Sequence, residues 1–294
     1  MLSIDGFLSY IGNELNRSPK TIESYAEDLK SFEAYFKGLS GSLSWEMVDT
    51  DVVRNWMENM MDKGNKPKSV ARRLSALRTF YRYALSKHLV KSDPVHKVQM
   101  PKVGKPLPQF LKEEEMDRLL DGQAWGEEYN QVRARTIIMT FYETGMRLSE
   151  LLGLDDEAVD FLSREIKVTG KGDKQRIIPF GNELYDNLLA YMRLRDATLE
   201  RKSKAFFLTD RGTRMKPGSV RQIVKEGLAR VSSLKKKSPH VLRHTFATAM
   251  LNHEAGIENL KKLLGHASLS TTEIYTHTTF EQLKRVYREA HPRA

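Results

Sequence analysis

The chain has 294 residues, a length that suggests about two domains, each large enough to bury its own core. Its 48 Lys and Arg residues outnumber 38 Asp and Glu, and the resulting net charge of +10 favours a polyanionic partner. The absence of cysteine excludes disulfide frameworks, cysteine-ligated zinc and thiol nucleophiles, and no apolar run reaches the roughly 18 residues that a membrane span needs.

The first hundred residues predict helices only. Ser18 followed by Pro19 is a helix N-cap with proline at the first helical position, and an apolar stripe follows at 3–4 spacing. Two further amphipathic helices are predicted at residues 49–61 and 68–88. Residues 1–15 also have helical spacing, without the basic and apolar regions of a signal peptide.

The third of these helices lies in a strongly basic stretch. Residues 63–105 carry twelve Lys or Arg and one acid, Asp93. A charge run is most often a solvated face, but here the apolar stripe of the same helix holds the basic side chains in place. Held cations can follow a phosphate backbone, so we expect DNA contacts from Arg72, Arg73 and Arg78.

Residues 92–108 contain four prolines and no periodicity, which indicates an extended tether. The sequence therefore predicts a helical DNA-binding domain at residues 1–91, a linker at 92–108 and a second domain at 109–294.

The second domain is predicted to begin with a short helix after Leu111 and a largely buried helix over residues 132–142. Gly145 then permits a tight bend, and Arg147 begins the next helix. Glu150 follows three residues later, a spacing at which its carboxylate can reach the Arg147 side chain. Such a pair is usually an ordinary surface ion pair of little energetic value.

From residue 165 the apolar pattern changes to a period of two, which predicts a hairpin with a glycine-flanked turn. Lys171 lies at the turn between two glycines, and Lys174 and Arg176 follow it. A lysine at a turn is far more often a solvated side chain without a catalytic role than a catalyst. Helices at 182–195 and 217–231, with a short strand at 206–208 between them, are predicted to be scaffold.

Three blocks near the C-terminus carry the strongest chemical pattern. His240 and Arg243 follow Pro239 at the start of a predicted helix. Gly265 is predicted to end another helix, which places His266 just outside that helix. Tyr275 comes nine residues after His266. Each residue alone is more simply explained as ordinary surface or half-buried structure.

His240 and His244 also have the spacing of a helical zinc pair. Val241 stands where a metalloprotease needs its glutamate, and the chain has no cysteine, so no metal site is predicted.

Together, the motifs TGMRLSE, GKGDKQR and HVLRHTFAT…LLGHASLSTTEIYTH resemble those of the tyrosine recombinases, and closely those of the Xer-type members. SVARRLSALRTFY is similar to their core-binding domain. The resemblance implies a mainly α (α+β) fold, with an N-terminal helical core-binding domain and a mostly helical catalytic domain with a small β-hairpin. It implies six catalytic residues, with Tyr275 as nucleophile: Arg147, Lys171, His240, Arg243, His266 and Tyr275.

In this chemistry the phenol of Tyr275 attacks a DNA phosphate, and fixed cations meet the charge that develops on the phosphate oxygens. Arg147 and Arg243 clamp the phosphate, and Lys171 protonates the departing 5′ oxygen. The resemblance leaves Lys174 and Arg176 as DNA contacts and implies no cofactor, because bond energy is conserved in the phosphotyrosyl ester.

The implied partners are double-stranded DNA, a homo- or hetero-tetramer on it, a sister recombinase and a DNA translocase, in a cytoplasmic, nucleoid-associated protein that resolves chromosome dimers. Three alternatives remain open: a mobile-element integrase of the same family, a type IB topoisomerase, and a non-catalytic DNA-binding protein.

A last apolar stripe lies on a charged helix at residues 279–290. Its members include Leu283, Val286 and Tyr287. We expect this helix to dock onto a neighbouring subunit, the alternative being that it folds back on its own domain.

Overall fold

The computed structural model describes residues 2–41, 44–104, 107–122, 125–170, 173–265 and 277–294. The chain forms two compact units, Met1–Pro106 and Leu107–Ala294. Their boundary falls inside the predicted linker at 92–108. The assignment of the units as DNA-binding and catalytic domains stays a prediction at this stage.

The described part of the first unit is helical, as predicted. Ser18 caps the second helix by accepting a hydrogen bond from the Thr21 amide, and Asp49 caps the third through the Val52 amide. These caps explain why the helix starts could be located from sequence. The helices are α1 (Ile4–Asn13), α2 (Pro19–Ser40), α3 (Thr50–Asp62) and α4 (Pro67–Ser86).

Aromatic rings contact one another across the core of this unit. The Phe80 ring lies 4.6 Å from Trp45 and 5.4 Å from Phe7, and Phe32 packs edge-on against Trp56 at 4.9 Å. Rings on α1, α2, α3 and α4, together with Trp45 in the loop before α3, thus join the helices into one core.

The second unit is built around a helix that is buried on nearly all sides. This helix, α6, packs against α8, α9 and α10, and its buried run from Thr136 to Thr144 matches the buried helix that the apolar sequence predicted. The helices of this unit are α5 (Glu113–Leu120), α6 (Tyr129–Thr144), α7 (Leu148–Gly153), α8 (Asn182–Thr198), α9 (Pro217–Ala229), α10 (Pro239–Asn252), α11 (Ile257–Leu264) and α12 (His277–Ala290).

A small antiparallel sheet of order β1-β2-β3 accompanies these helices. Its strands are β1 (Val159–Asp160), β2 (Glu165–Thr169) and β3 (Gln175–Pro179). The predicted hairpin is therefore confirmed, with its tip outside the described residues. The predicted strand at 206–208 is wrong, because there Leu208 forms only an isolated bridge to Arg214 while the segment is buried under α8 and α6.

Helix α12 folds against its own unit. Leu283 and Tyr287 are buried in one apolar cluster with Phe246 of α10 and Leu260 of α11. The part of the stripe from Leu283 onward, which we expected to dock onto a neighbouring subunit, is thus covered within the single chain. Among the described helices, none is both long and apolar enough to cross a membrane.

Candidate active site

The site begins where α6 ends. Gly145 caps α6 in the left-handed conformation, at φ +58, and a Cβ at this position would lie 2.4 Å from the Phe246 ring. Only glycine meets both demands, so α10 can approach the end of α6 closely. Arg147 follows in an extended conformation as the N-cap of α7.

Glu150, one turn into α7, holds Arg147. Its carboxylate accepts a hydrogen bond from the Arg147 backbone at 2.6 Å and from Arg147 Nη1 at 2.9 Å. Glu150 is fully buried, whereas the side chain of Arg147 is 33% exposed. The predicted Arg–Glu pair is confirmed as a contact, but the burial of Glu150 makes it part of the interior instead of a surface ion pair.

Helix α10 supplies the second arginine. Pro239 occupies the first turn, and Arg243, in the next turn, is buried beside the α6 terminus. Arg243 Nη1 donates to the Gly145 carbonyl, and Nη2 donates to the Leu264 carbonyl at 2.7 Å. The guanidinium is therefore fixed in two directions.

The C-terminal end of α11 brings the arginines together. Arg147 Nη2 donates to the Gly265 carbonyl at 3.2 Å, next to the Leu264 carbonyl that Arg243 binds. Carbonyls in the last turn of a helix have no intrahelical partner and carry partial negative charge, which suits cationic donors. Arg147 and Arg243, far apart in the chain, thus lie side by side.

The electrostatics of the site favour an anion. Burial, then the positive charges of Arg147 and Arg176, lower the pKa of Arg243 to about 10. Burial also lowers the pKa of His240, with further contributions from the positive charges of Lys236, His244, Arg243 and Arg147. A bound phosphate would relieve this positive field.

His240, on the first turn of α10, keeps part of its side chain exposed to solvent, and its lowered pKa favours the neutral ring at neutral pH. Lys171, His266 and Tyr275 lie outside the described residues. In the ranges that the structure does describe, no cluster of three or more His, Asp or Glu side chains is arranged to hold a metal ion.

The predicted DNA-contacting arginines of α4 make contacts inside their own unit. Arg72 donates to Asp28 and Ser24 of α2, yet its side chain is 46% exposed. Arg73 donates to Asn65 at 3.3 Å. An exposed guanidinium that is held by a buried carboxylate can still face a phosphate, and DNA contact by these arginines stays a prediction.

Arg78 differs from them because it donates to the carbonyls of Val95 and Val98, at 3.2 and 3.1 Å. It ties the segment after α4 to the helix, so its predicted DNA contact competes with a structural role.

The two basic residues of the hairpin, Lys174 and Arg176, also differ in exposure. Lys174 is exposed, and its DNA contact stays a prediction. Arg176 is 8% exposed, and its guanidinium donates to both carboxylate oxygens of Glu150 and to the Leu263 carbonyl. DNA contact by Arg176 stays a prediction, and this burial argues for a positioning role.

Sequence reasoning missed the acceptors that organise the site. The carbonyls of Gly145, Leu264 and Gly265 are backbone groups, which no side-chain pattern reveals. The inward orientation of Arg176 could have been predicted. Alternate residues of a strand lie on the same face, so Arg176 shares a face with the apolar Ile178, which is expected to lie in the core.

Two family models match the chain. The model described as "Phage integrase family" matches residues 109–282, and "Phage integrase, N-terminal SAM-like domain" matches residues 4–88. Together they span both compact units.

Curated relatives match over nearly the whole length. Tyrosine recombinase XerC of Chlorobaculum parvum is 38% identical over 317 residues, covering 99% of this chain and 94% of that protein. Tyrosine recombinase XerC of Pelotomaculum thermopropionicum is 38% identical over 301 residues, covering 99% and 98%.

A solved structure of the XerH site-specific recombinase, bound to a palindromic difH substrate in a post-cleavage complex, has a similar fold. The TM-score is 0.70 at 22% identity, covering 96% of this chain and 82% of that chain.

Proposed function

Since the chain belongs to the phage integrase family and is a site-specific tyrosine recombinase of the Xer type, we propose that it cuts and rejoins DNA through Tyr275. The phenol oxygen of Tyr275 attacks phosphorus, and the bond from phosphorus to the 5′ oxygen breaks. A 3′-phosphotyrosyl ester forms, and the 5′ hydroxyl of another strand later reverses the step. The ester conserves the bond energy of the phosphodiester, so the reaction consumes no nucleotide.

Arg147 and Arg243 bind the scissile phosphate. The pentacoordinate transition state places extra negative charge on the non-bridging oxygens, and cations that are already fixed stabilise it without reorganising. The two guanidiniums are fixed by Glu150 and by the carbonyls of Gly145, Leu264 and Gly265. This convergence of two oriented arginines is the observation that carries the proposal.

The remaining catalytic roles concern protons. His240, neutral because of its lowered pKa, accepts the proton of the Tyr275 phenol, whose ordinary pKa is about 10. His266 donates a hydrogen bond to the phosphate, and Lys171 protonates the departing 5′ oxygen. These assignments rest on the family motifs at their positions.

Duplex DNA is the proposed substrate, and it engages both units. The basic face of α4, with Arg72 and Arg73, contacts phosphates of the core site, and Lys174 on the hairpin contacts the duplex near the cut. Chromosome dimer resolution, with four subunits on two sites, a sister recombinase and a DNA translocase, is the process that the XerC relatives favour. The fitting location is the cytoplasm, at the nucleoid.

The decisive experiment is covalent capture. The protein is incubated with fragmented DNA from its source organism, adducts are trapped, and the modified peptide and attached sequence are identified. We expect a DNA 3′ end on Tyr275. Tyr275→Phe should abolish the adduct while DNA affinity stays near wild type, because one hydroxyl adds little to many phosphate contacts. An adduct that survives in this variant would refute the assignment of the nucleophile.

A plasmid test separates recombination from strand relaxation. A recombinase acts on plasmids with two copies of the captured sequence and leaves one-site plasmids unrecombined, whereas a type IB topoisomerase relaxes both alike. Equal relaxation of one-site and two-site plasmids, with no recombinant product, would favour the topoisomerase.

A further inference from the structure

Arg176 is a buried cation that the proposed chemistry does not use. It lies opposite Val168 in the hairpin register, on the inward face that it shares with Ile178. Burying a guanidinium is unfavourable unless its donors are satisfied, so its partners show what the burial achieves.

The first partner of Arg176 is Glu150, the residue that also holds Arg147. Arg176 Nη1 donates to Oε1 at 2.6 Å and Nη2 to Oε2 at 2.9 Å, a bidentate pair. Each of these oxygens also accepts one hydrogen bond from Arg147. The carboxylate is thus shared by β3 and by the N-cap of α7.

The charge state of Glu150 agrees with this arrangement. Burial by itself raises the pKa of Glu150, but the hydrogen bonds and charge of Arg176, followed by the hydrogen bonds of Arg147, outweigh it and hold the pKa at about 2. Glu150 is therefore ionised and able to accept from both arginines throughout the pH range in which proteins work.

The second partner of Arg176 is the C-terminal end of α11. Its Nε donates to the Leu263 carbonyl at 2.9 Å, beside the carbonyls of Leu264 and Gly265 that accept from Arg243 and Arg147. Three successive carbonyls therefore bind three arginines from three different elements. A Cβ on Gly265 would lie 3.1 Å from the side chain of Arg176, so the contact is close.

We propose that Arg176 is a positioning residue, which ties the β2–β3 hairpin, Arg147 and the C-terminal end of α11 into one rigid unit. The hairpin carries Lys171, and α11 leads directly to His266. Arg176 thereby fixes the hairpin and the end of α11 relative to Arg147 and Arg243, which bind the phosphate. This inference rests on the proposed function, because its consequence for rate requires cleavage of DNA.

The test compares two buried arginines. Arg176→Gln removes the link, and Arg133→Gln is the matched control. The side chain of Arg133 is 9% exposed, against 7% for Arg176, and it donates to a carbonyl, Leu208, and to a carboxylate, Asp210, but to neither Glu150 nor α11. Both variants lose the hydrogen bonds of a buried guanidinium, so both should unfold at a lower temperature.

The rate of adduct formation is measured at saturating protein on a nicked suicide duplex carrying the captured sequence, well below both unfolding temperatures. Arg176→Gln should cleave about 10²-fold more slowly, since small misplacements of catalytic groups have effects of that size. Its DNA affinity should stay within about twofold of wild type, because phosphate contacts dominate binding. Arg133→Gln should cleave at the wild-type rate.

A second measurement does not depend on activity. The Gly265 amide donates to the Lys262 carbonyl in the last turn of α11, and its hydrogen exchange should become faster in Arg176→Gln but not in Arg133→Gln. If Arg176→Gln does not fold, Arg176→Lys replaces it. The lysine ammonium keeps the charge but has one nitrogen in place of the three that donate to the Leu263 carbonyl and to the two Glu150 oxygens. Cleavage should therefore still slow about tenfold.

The outcomes separate cleanly. A wild-type protein that forms no adduct overturns the proposed function and this inference with it. If wild type forms the adduct and Arg176→Gln, or Arg176→Lys in its place, matches Arg133→Gln in rate and in Gly265 exchange, only the inference is wrong. Slow cleavage with normal affinity and faster Gly265 exchange supports it.

Discussion

The two units of this recombinase bury different kinds of side chain. In the first unit, Asp28 is the one charged side chain buried among the described residues, and aromatic and aliphatic side chains fill the rest of the core. In the second unit, buried side chains of the charged types, together with one buried histidine, recur throughout. They are Arg133, Glu143, Glu150, Arg176, Arg195, Arg243 and His291.

The difference corresponds to what each unit has to hold in place. The DNA-binding surface proposed for the first unit needs a stable scaffold that carries exposed cations such as Arg72. A catalytic centre needs cations whose direction is already set before the substrate arrives. Buried hydrogen-bond networks supply that direction, although they add little net stability compared with apolar packing.

The largest expected effect sharpens the first half of this comparison. Phe80→Ala should lower the unfolding free energy of the first unit by about 3–5 kcal/mol, because it leaves a cavity among packed rings. Hydrogen exchange of the α4 amides measures the loss. Leu39→Ala is the control, since Leu39 is 60% exposed and its truncation should change stability by less than about 0.5 kcal/mol. Equal losses in the two variants would contradict an aromatic core.

The next effect tests the second half of the comparison, at the clamp. Arg243→Ala should slow cleavage by roughly 10²–10³-fold, the effect of losing one preorganised donor at a developing charge. Single-turnover adduct formation on the suicide duplex measures the rate. Arg243→Lys keeps the charge but loses the planar fork whose two nitrogens donate to Gly145 and Leu264, so it should remain far below wild type. Near wild-type cleavage in either variant would mean that Arg243 is only structural.

Sequence reasoning succeeded where structure is local and failed where it depends on a distant surface. Ser18, Asp49 and Gly145 marked helix ends because caps and left-handed glycines act within a few residues. Strand β1 has two residues, too few to show alternation. The surface that covers α12 belongs to α10 and α11, and an apolar stripe does not reveal its partner.

The same limit applied to the site. Arg147 and Arg243 were predicted from motifs, and the structure brings their side chains together. The Arg176–Glu150 link joins residues 26 positions apart, and a basic hairpin looks alike in sequence whether its arginine faces DNA or the core. Only the position of Arg176 on the same strand face as Ile178 distinguished an arginine that faces the core from one that faces DNA.

A smaller effect concerns pH at the exposed edge of the site. The pKa of His240 is lowered, chiefly by burial, so the neutral ring is the form present at neutral pH. If this form accepts the proton of Tyr275, cleavage should fall about tenfold per pH unit below the pKa of His240 and be flat above it. His240→Gln should cleave slowly without that acid limb. An unchanged limb in the variant would assign the titration to another group.

The smallest effect compares the buried carboxyls of the two units. Burial, then the negative charge of Glu183, raises the pKa of Glu143 well above its ordinary value, and the hydrogen bond from Tyr287 and the charge of Arg293 oppose this rise only in part. Burial also raises the pKa of Asp28, but Arg72 and Arg73 oppose it directly. Glu143 is therefore the less compensated of the two.

A raised pKa in the folded state means that stability is fully present below the unfolded-state pKa and declines as pH rises through the folded-state pKa. Gln mimics the protonated acid and still accepts a hydrogen bond from Tyr287, so Glu143→Gln should escape this decline. Between about pH 5 and pH 8, the variant should gain at least about 1 kcal/mol of unfolding free energy over wild type, the amount that one unit of pKa difference represents. Asp28→Asn is the matched variant in the first unit, and it should gain less, because it also removes the negative charge that pairs with Arg72 and Arg73. Denaturant unfolding at the two pH values measures both gains. A larger gain for Asp28→Asn would show that the first unit, not the second, holds the more costly buried charge.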